Sequence, residues 1–236
     1  MSNLKNGVFF FGISDDKIYI CFFEKGKDEY KSEINFEIPD TLNNELNFKI
    51  ILNLLKDNIR RLEKKLGLFL NIGNISIQSN TYQSIQFSIK NIFDEKKLNK
   101  KVITDIVRTG IYQFQNHEKN LSIIHIIINK CVIDDNVYKF YPYDMKFKKI
   151  VLELEFICLD KNLVNKLENL FSECKIQINK IISYEYAKNF LINVKDDTMC
   201  LSAKKILNGA NQSEVYLNES PQKKPNIFNS IFNFFD

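Results

Sequence analysis

Apolar residues gather in three short runs at the start of the chain, 8–13 (VFFFGI), 17–23 (KIYICFF) and 30–38 (YKSEINFEI). Runs of this length, rich in Phe, Ile and Tyr and bounded by turn formers, predict β-strands. Ser14-Asp15-Asp16 makes a tight turn between the first two, so the expectation is a ribbon of three antiparallel strands. After Pro39 the period lengthens. Leu46, Ile50, Leu54, Ile59, Leu62 and Leu66 predict one long helix that stops near Gly67, and 72–78 returns to strand. Three strands, a helix and a strand, a recurrent order in α/β folds, are complete before residue 80.

The middle of the chain alternates over 81–89 as a strand. Asp94-Glu95 then opens a predicted helix through Leu98, Val102, Ile106, Ile111 and Phe114, which runs into a polar turn at 116–120. Segments 123–128, 131–140 and 148–159 predict strands, and 163–171 predicts a helix with Asp160 near its start, where a carboxylate suits the helix dipole. A strand over 177–183 and helices over 184–192 and 198–207 follow. From 208 to 226 the chain is polar, with Gly209, Pro221 and Pro225, and reads as a linker spanning roughly 25 Å as a flexible coil.

The pattern changes once more at 227–235. Ile227, Phe228, Ile231, Phe232, Phe234 and Phe235 share one side of a helix, while Asn226, Asn229 and Asn233 fall on the other. Pro225 suits the first helical position, and Lys223 and Lys224 stand where a bilayer places cations among its headgroups. These eight apolar and cationic residues are the expected membrane-binding set, directed at an anionic lipid surface. Partial immersion of the six apolar side chains contributes on the order of 6–12 kcal/mol gross. Ordering the segment removes much of that, so attachment is expected to be reversible and stronger for several copies together. Docking of the same face onto the protein's own core or into a partner groove remains open.

Composition narrows the function classes. A chain of 236 residues with 44% hydrophobic content builds one or two ordinary cores. Net charge is only +4, the lysines alternate with acids, and Arg60, Arg61 and Arg108 are the only arginines, so nucleic acid is not an expected partner. Cys21, Cys131, Cys158, Cys174 and Cys200 are scattered without a CxxC pair, which points to buried reduced thiols. No leader pattern precedes the first strand, and no apolar run approaches the roughly 18 residues of a membrane span. The expected location is cytoplasmic and peripheral, on the inner face of the membrane.

Candidate chemistry is sparse. His117 lies in a polar loop and His125 in an apolar strand, which fits a solvated and a core histidine better than a base or a metal ligand. Asp15-Asp16, Asp134-Asp135 and Asp196-Asp197 fall at turns, and neighbouring strand positions point to opposite faces. Lysines 96, 97, 100 and 101 read as a solvated basic helix start. No catalytic residue, metal ligand or cofactor site is expected.

Several windows resemble the FtsA family, actin-like proteins that tie the bacterial division ring to the membrane. The run HIIINKCVID at 125–134 is similar to that family's HVIPQEYxID, with His125, Ile127, Ile133 and Asp134 in register. Cys174, Ile176, Ile178, Ile181 and Ala187 fall at the spacing of CGLxVxxLxxxxLA, with Lys175 in place of Gly. The segment 198–209 resembles the family's last helix, near YSTAVGLLxYG, and PNIFNSIFNFFD resembles its membrane-targeting helix. The resemblance implies an α+β, α/β architecture: a ribonuclease-H-like (actin-like) half domain made of 1–79 plus 176–207, an inserted α+β interaction domain at 80–175, a linker at 208–225 and an amphipathic helix at 226–236.

The departures carry expectations too. Only six residues separate Leu191 from Thr198, where the family places a second half with its DIGGGT-type hairpin. The stretch from Gly12 to Lys17 is two residues shorter than the family's GxxxGTxK hairpin and lacks the Gly-Thr pair. Carboxylates at Asp15 and Asp16 oppose a phosphate that Gly amides would cradle, so no ATP is expected. The missing half holds the family's docking site for the tail of the ring protein FtsZ, which leaves that contact doubtful. The resemblance thus implies a non-catalytic membrane adaptor at the division site, meeting division proteins through 80–175. Helices 184–192 and 198–207, having lost the half they flank, are expected to bear an apolar patch covered by self-association or by repacking. Two alternatives stand: a soluble assembly protein like the pilus-type relatives of the same fold, and an ATP-binding half completed by another chain.

Overall fold

The computed structural model describes residues 7–27, 30–37, 45–138, 142, 144–191 and 199–217. Strands β1 (Gly7–Ile13), β2 (Lys17–Glu24) and β3 (Tyr30–Glu37) form an antiparallel ribbon, as the short apolar runs predict. Helix α1 (Glu45–Leu66) then crosses to β4 (Ile72–Ile77), which lies parallel to β1. Much later in the chain β9 (Gln177–Ser183) adds in parallel beside β4. The resulting order, β3-β2-β1-β4-β9, with only β2 running against the others, is the ribonuclease-H-like sheet.

Its central strands are buried on both faces, which is why Phe9 to Ile13 read as an unbroken apolar run. Phe9, Phe11 and Ile13 point into a core closed by α1 and α3 (Lys161–Glu173), where Phe11 meets the Phe171 ring edge-on at 4.7 Å. Phe10 points the other way, toward α4 (Tyr184–Ala187), the short 3-10 turn after it, and α5 (Met199–Leu207).

Between β4 and α3 the chain builds a second, antiparallel sheet of order β5-β8-β6-β7, from β5 (Gln83–Lys97), β6 (Leu121–Ile133), β7 (Asn136–Tyr138) and β8 (Lys146–Asp160). Helix α2 (Lys100–His117) covers one face, burying Val102, Ile103, Ile106, Val107 and Phe114 against Ile89, Leu154 and Phe156. The opposite face is polar: Ser84 and Asn129 both donate to Glu155, at 2.6 and 2.9 Å, and Lys130 pairs with Glu153. Among the described residues no helix is long and apolar enough to cross a membrane.

Several expectations shift. Asp94 and Glu95 belong to β5 and do not open a helix; α2 starts after Asn99, whose side chain accepts from the Val102 amide at 3.0 Å. The cap outranks the acidic pair because it satisfies an amide that the helix itself leaves unpaired. The strand read over 131–140 is broken by Asp134 and Asp135, both at positive φ, which turn β6 into β7. The boundary at 175 also moves: α3 buries Val164, Leu167, Leu170 and Phe171 in the core of the first sheet, so the inserted part closes at the end of β8. The apolar patch expected on the last helices is internal. Tyr186, Ala187, Cys200, Ala203 and Ile206 are buried, and Phe190, Leu201 and Leu207 pack against the same cluster.

Residues 208–217 are not linker. Ile128 donates its amide to the Ser213 carbonyl at 2.9 Å and Val215 donates to Ile126 at 2.8 Å, so residues 213–215 lie against β6 through an isolated antiparallel bridge between Ile127 and Glu214. Asp196-Asp197 and the whole membrane-binding set, Lys223, Lys224, Ile227, Phe228, Ile231, Phe232, Phe234 and Phe235, lie outside the described residues.

Candidate functional site

The two sheets meet where β6 passes the end of β9, and a buried polar cluster sits in that seam. Between Ile123 and His125 the register of β6 against β8 slips by one residue. Such a bulge re-aims the side chains that follow it. Here Ile124 packs beside both cores of the first sheet, and His125, 1% exposed, turns into the seam.

Three chain segments supply its partners. Nδ1 of His125 lies 2.7 Å from Oε1 of Glu214, and Nε2 accepts the Ser183 amide of β9 at 3.1 Å. An amide donating to Nε2 leaves the proton on Nδ1, so His125 is the neutral Nδ1–H tautomer and donates to the carboxylate. Glu214 also accepts from Lys180 Nζ of β9 at 3.0 Å and from the Tyr186 hydroxyl of α4 at 3.0 Å. Asn211 donates to the same hydroxyl at 2.8 Å, and the Lys180 ammonium stands over the Tyr216 ring, 3.9 Å from its centroid. Tyr216 in turn donates to the Ile206 carbonyl at 3.1 Å.

The electrostatics follow from burial and pairing. Burial pushes the His125 pKa below its ordinary value, against the pull of Glu214, and keeps the ring neutral. Burial alone would raise the Glu214 carboxyl, but the donors from His125 and Lys180 outweigh it and bring it down to about 2. Burial likewise lowers Lys180, against the attraction of Glu214, and raises Tyr186 and Tyr216. One carboxylate and one ammonium therefore neutralise each other inside a fully hydrogen-bonded cage.

That cage is a fastener. Both ring nitrogens of His125 are committed, leaving no lone pair to take a proton from a substrate. Beside it opens a groove of about 660 Å³, lined by apolar side chains such as Ile124, Ile126 and Leu207 and by polar ones such as Asn179, Lys180 and Tyr216.

The remaining sequence candidates are dispersed. His117 is exposed at the end of α2. In the β1–β2 turn, Ser14 donates to Asp16 at 2.8 Å and accepts from the Lys17 amide at 3.1 Å, so the turn closes on itself with both carboxylates outward. Asp134 and Asp135 form the β6–β7 turn, as read. Lys96 and Lys97 end β5, with Lys97 paired to Asp144 at 3.0 Å, and Lys100 and Lys101 open α2. All five cysteines are free thiols; burial pushes Cys158 up to about 12 and Cys131 and Cys174 to about 11, away from thiolate chemistry. Among the described residues no group of His, Cys, Asp and Glu is placed to hold a metal.

Sequence reading found His125 as a core histidine and missed Glu214, Lys180, Tyr186 and Asn211. One signal was present: Val215 and Leu217 alternate with polar neighbours inside the supposed linker, a short period-two pattern that begins right after Glu214.

No family model matches the chain, and no curated protein matches it in sequence. Among solved structures, the type IV pilus biogenesis complex PilM-PilN is similar at 10% identity and a TM-score of 0.47, over 78% of this chain and 49% of that one. The cytoplasmic domain of EpsL, an inner membrane component of the type II secretion system of Vibrio cholerae, is similar at 5% identity and a TM-score of 0.36, over 77% and 57%. A Bacteroides thetaiotaomicron protein with an actin-like ATPase fold and unknown function is similar at 14% identity and 0.32, over 79% and 56%. The chain spans about half the length of these solved chains.

Proposed function

We propose that this protein is a non-catalytic adaptor that joins a membrane surface to a protein assembly. The observation that carries the reading is the seam. The segment 211–217 is locked across both sheets by Glu214, and from its end the chain continues into the amphipathic sequence at 227–235. A pull on that tail is delivered to a buried, doubly anchored point shared by the two halves of the molecule, which suits a tether. The self-closed β1–β2 turn, with Asp15 and Asp16 outward, supports a function without bound nucleotide. The likeness of 125–134 and 174–187 to FtsA is what suggests the cytoplasmic face of the division site for this assembly, with the inserted sheet as the surface that would meet another division protein.

Co-sedimentation with vesicles containing anionic lipid tests the reading, comparing the full chain with Phe228→Glu/Phe232→Glu. The adaptor predicts that the native chain sediments and the double variant stays in the supernatant. If neither sediments at protein concentrations that reveal weak attachment, the membrane role is wrong and the tail serves a protein groove.

A further inference from the structure

We propose that the loop between α1 and β4 is a second membrane-contacting element, which inserts Phe69 into anionic lipid. Phe69 is 91% exposed, the most exposed of the large apolar side chains among the described residues. Its position is fixed by the backbone on either side. Gly67, at φ +66°, closes α1 by donating to the Glu63 carbonyl at 2.8 Å, and the Leu70 amide donates to the Glu63 carboxylate at 2.8 Å while Leu70 itself is buried. The ring is thus held out on a short, pinned tip. A lone exposed aromatic is ordinary by itself; its electrostatic setting is what assigns a partner.

That setting is cationic. Arg60 and Lys175 border a concavity of about 480 Å³ together with Phe69, and Arg61, Lys64 and Lys65 are exposed on the last turns of α1 just behind it. The nearby carboxylates are already engaged: Asp57 with Arg60 at 3.6 Å, Glu173 with Lys56 at 3.8 Å, and Glu63 with the loop. Basic side chains also complement the end of a helix dipole, which accounts for Lys64 and Lys65 but not for Lys175, brought in from a turn at φ +60° on another element. An apolar tip beside a surface where cations outnumber carboxylates matches the headgroup and acyl layers of an anionic leaflet. A protein groove would suit it less, because the ring stands out from the rim of that concavity, 91% exposed, and is not enclosed by it.

The tip also lies within reach of the tail. The Gln177 amide at the start of β9 donates to Asn71, two residues after Phe69, and Lys180, further along the same strand, borders the groove that Leu217 lines. The four strand residues from Gln177 to Lys180 span roughly 10 Å, and the nine residues 218–226 are long enough to bridge that distance, since a chain reaches up to roughly 3.3–3.6 Å per residue. Phe69 and the tail are therefore able to meet one leaflet together, and two contacts fix an orientation that a single contact does not. This inference rests on the membrane reading above.

The chain contains no tryptophan, so Phe69→Trp in the full chain places a single reporter on the tip. With vesicles of phosphatidylcholine and phosphatidylglycerol carrying brominated acyl chains, the indole is expected to shift to shorter wavelength and be quenched, and to do neither with phosphatidylcholine alone. Phe69→Ser and Lys64→Gln/Lys65→Gln should each weaken co-sedimentation roughly tenfold, the factor set by about one immersed side chain or two surface charges. A separate Phe232→Trp chain reports on the tail. Quenching at 232 with a water-like, unquenched indole at 69 overturns this inference and leaves the adaptor standing; no sedimentation and no quenching at either position overturns both. An indole at 69 already shielded in dilute protein without vesicles also overturns it, by showing that the protein itself covers the tip.

Discussion

His125 and Glu214, separated by 89 positions in the chain, meet at 2.7 Å with both side chains fully buried. One stands on a bulged strand of the inserted sheet and the other on a segment that composition assigns to a linker. Their contact ties that segment to β6, while Ser183, Lys180 and Tyr186 tie the same pair to the first sheet. The junction of the two sheets is therefore held by polar groups that exclude alternative packings, where apolar contacts alone would leave the angle between the sheets loosely specified.

Removing the carboxylate should be expensive. In Glu214→Ala the Lys180 ammonium, the Nδ1–H of His125 and the Tyr186 hydroxyl lose their shared acceptor, and breaking one side of a buried pair costs about 3–5 kcal/mol. Urea denaturation should show that loss in the midpoint with little change in slope. Hydrogen exchange separates the seam from the cores: the amides of Ile128 and Val215, which bond across the clasp, should open early, while those of β1 keep their protection. Equal loss of protection everywhere would mean that the clasp is not a local fastener.

The clasp should also be sensitive to acid, in two stages. The folded-state pKa of His125 lies below its ordinary 6.5, so the unfolded chain takes up a proton near that pH and the folded chain does not. Stability is then fully present above about 6.5 and falls as pH drops below it. Glu214 is held at about 2 against an ordinary 4.5, so its contribution is intact above 4.5 and is lost as pH falls from there toward 2. Both terms have the same sign. His125→Asn keeps a donor toward Glu214 but no titrating ring, and the expected outcome is a lower stability overall with a flattened dependence between pH 6.5 and 5, read from urea midpoints at several pH values.

Close packing in the first sheet makes a second kind of prediction. A Cβ added at Gly73 would stand 2.5 Å from Cε2 and 3.0 Å from Cδ2 of the Phe11 ring. Phe11 is fully buried and pressed edge-on against Phe171, so the ring has nowhere to turn. Gly73→Ala should cost about 1–3 kcal/mol as overpacking, although the substitution usually favours a strand. The companion change Phe11→Leu makes room and should recover part of the loss when combined with it, which a double-mutant cycle of thermal midpoints would reveal.

The first sheet was legible because each of its strands announces itself locally: Phe9 to Ile13 and Ile18 to Phe23 have no other stable destination than a two-sided core. The existence of the long helix α1 was legible from period, and Ile59 and Leu62 face the core as read, but in its first half Ile51 and Leu55 are the buried residues, while Ile50, read as part of that face, is exposed. What was hidden is whatever depends on a distant partner. Asp94-Glu95 looks like a helix start until β5 is seen to run on to Lys97, with α2 opening only after the Asn99 cap. The allegiance of α3 is decided by Phe11, some 160 residues earlier, and no local pattern carries that information. The clasp is the extreme case. Glu214 among Asn, Ser and Gly reads as solvent-exposed, and only the fold shows that three donors, one each from β6, β9 and α4, wait for it.

The β6–β7 turn separates two adjacent residues of the same type into opposite roles. Asp134 and Asp135 take φ of +45° and +69°, the two left-handed positions of a two-residue hairpin, for which Asp-Gly is a preferred pair. The Asp134 carboxylate accepts the amides of Lys148 and Lys149, at 3.1 and 2.8 Å, and so ties the turn to β8. Asp135 pairs only with Lys149, largely in solvent, where such a contact is worth little. Asp134→Ala should therefore cost about 1–3 kcal/mol, through two lost acceptor contacts and a side chain poorly suited to positive φ. Asp135→Gly should raise stability slightly, by no more than about 1 kcal/mol, because relief of the left-handed backbone outweighs the exposed ion pair. Thermal denaturation of the two single variants distinguishes them by sign, and a loss of similar size in both would show that the Lys149 pair, and not the backbone geometry, governs the turn.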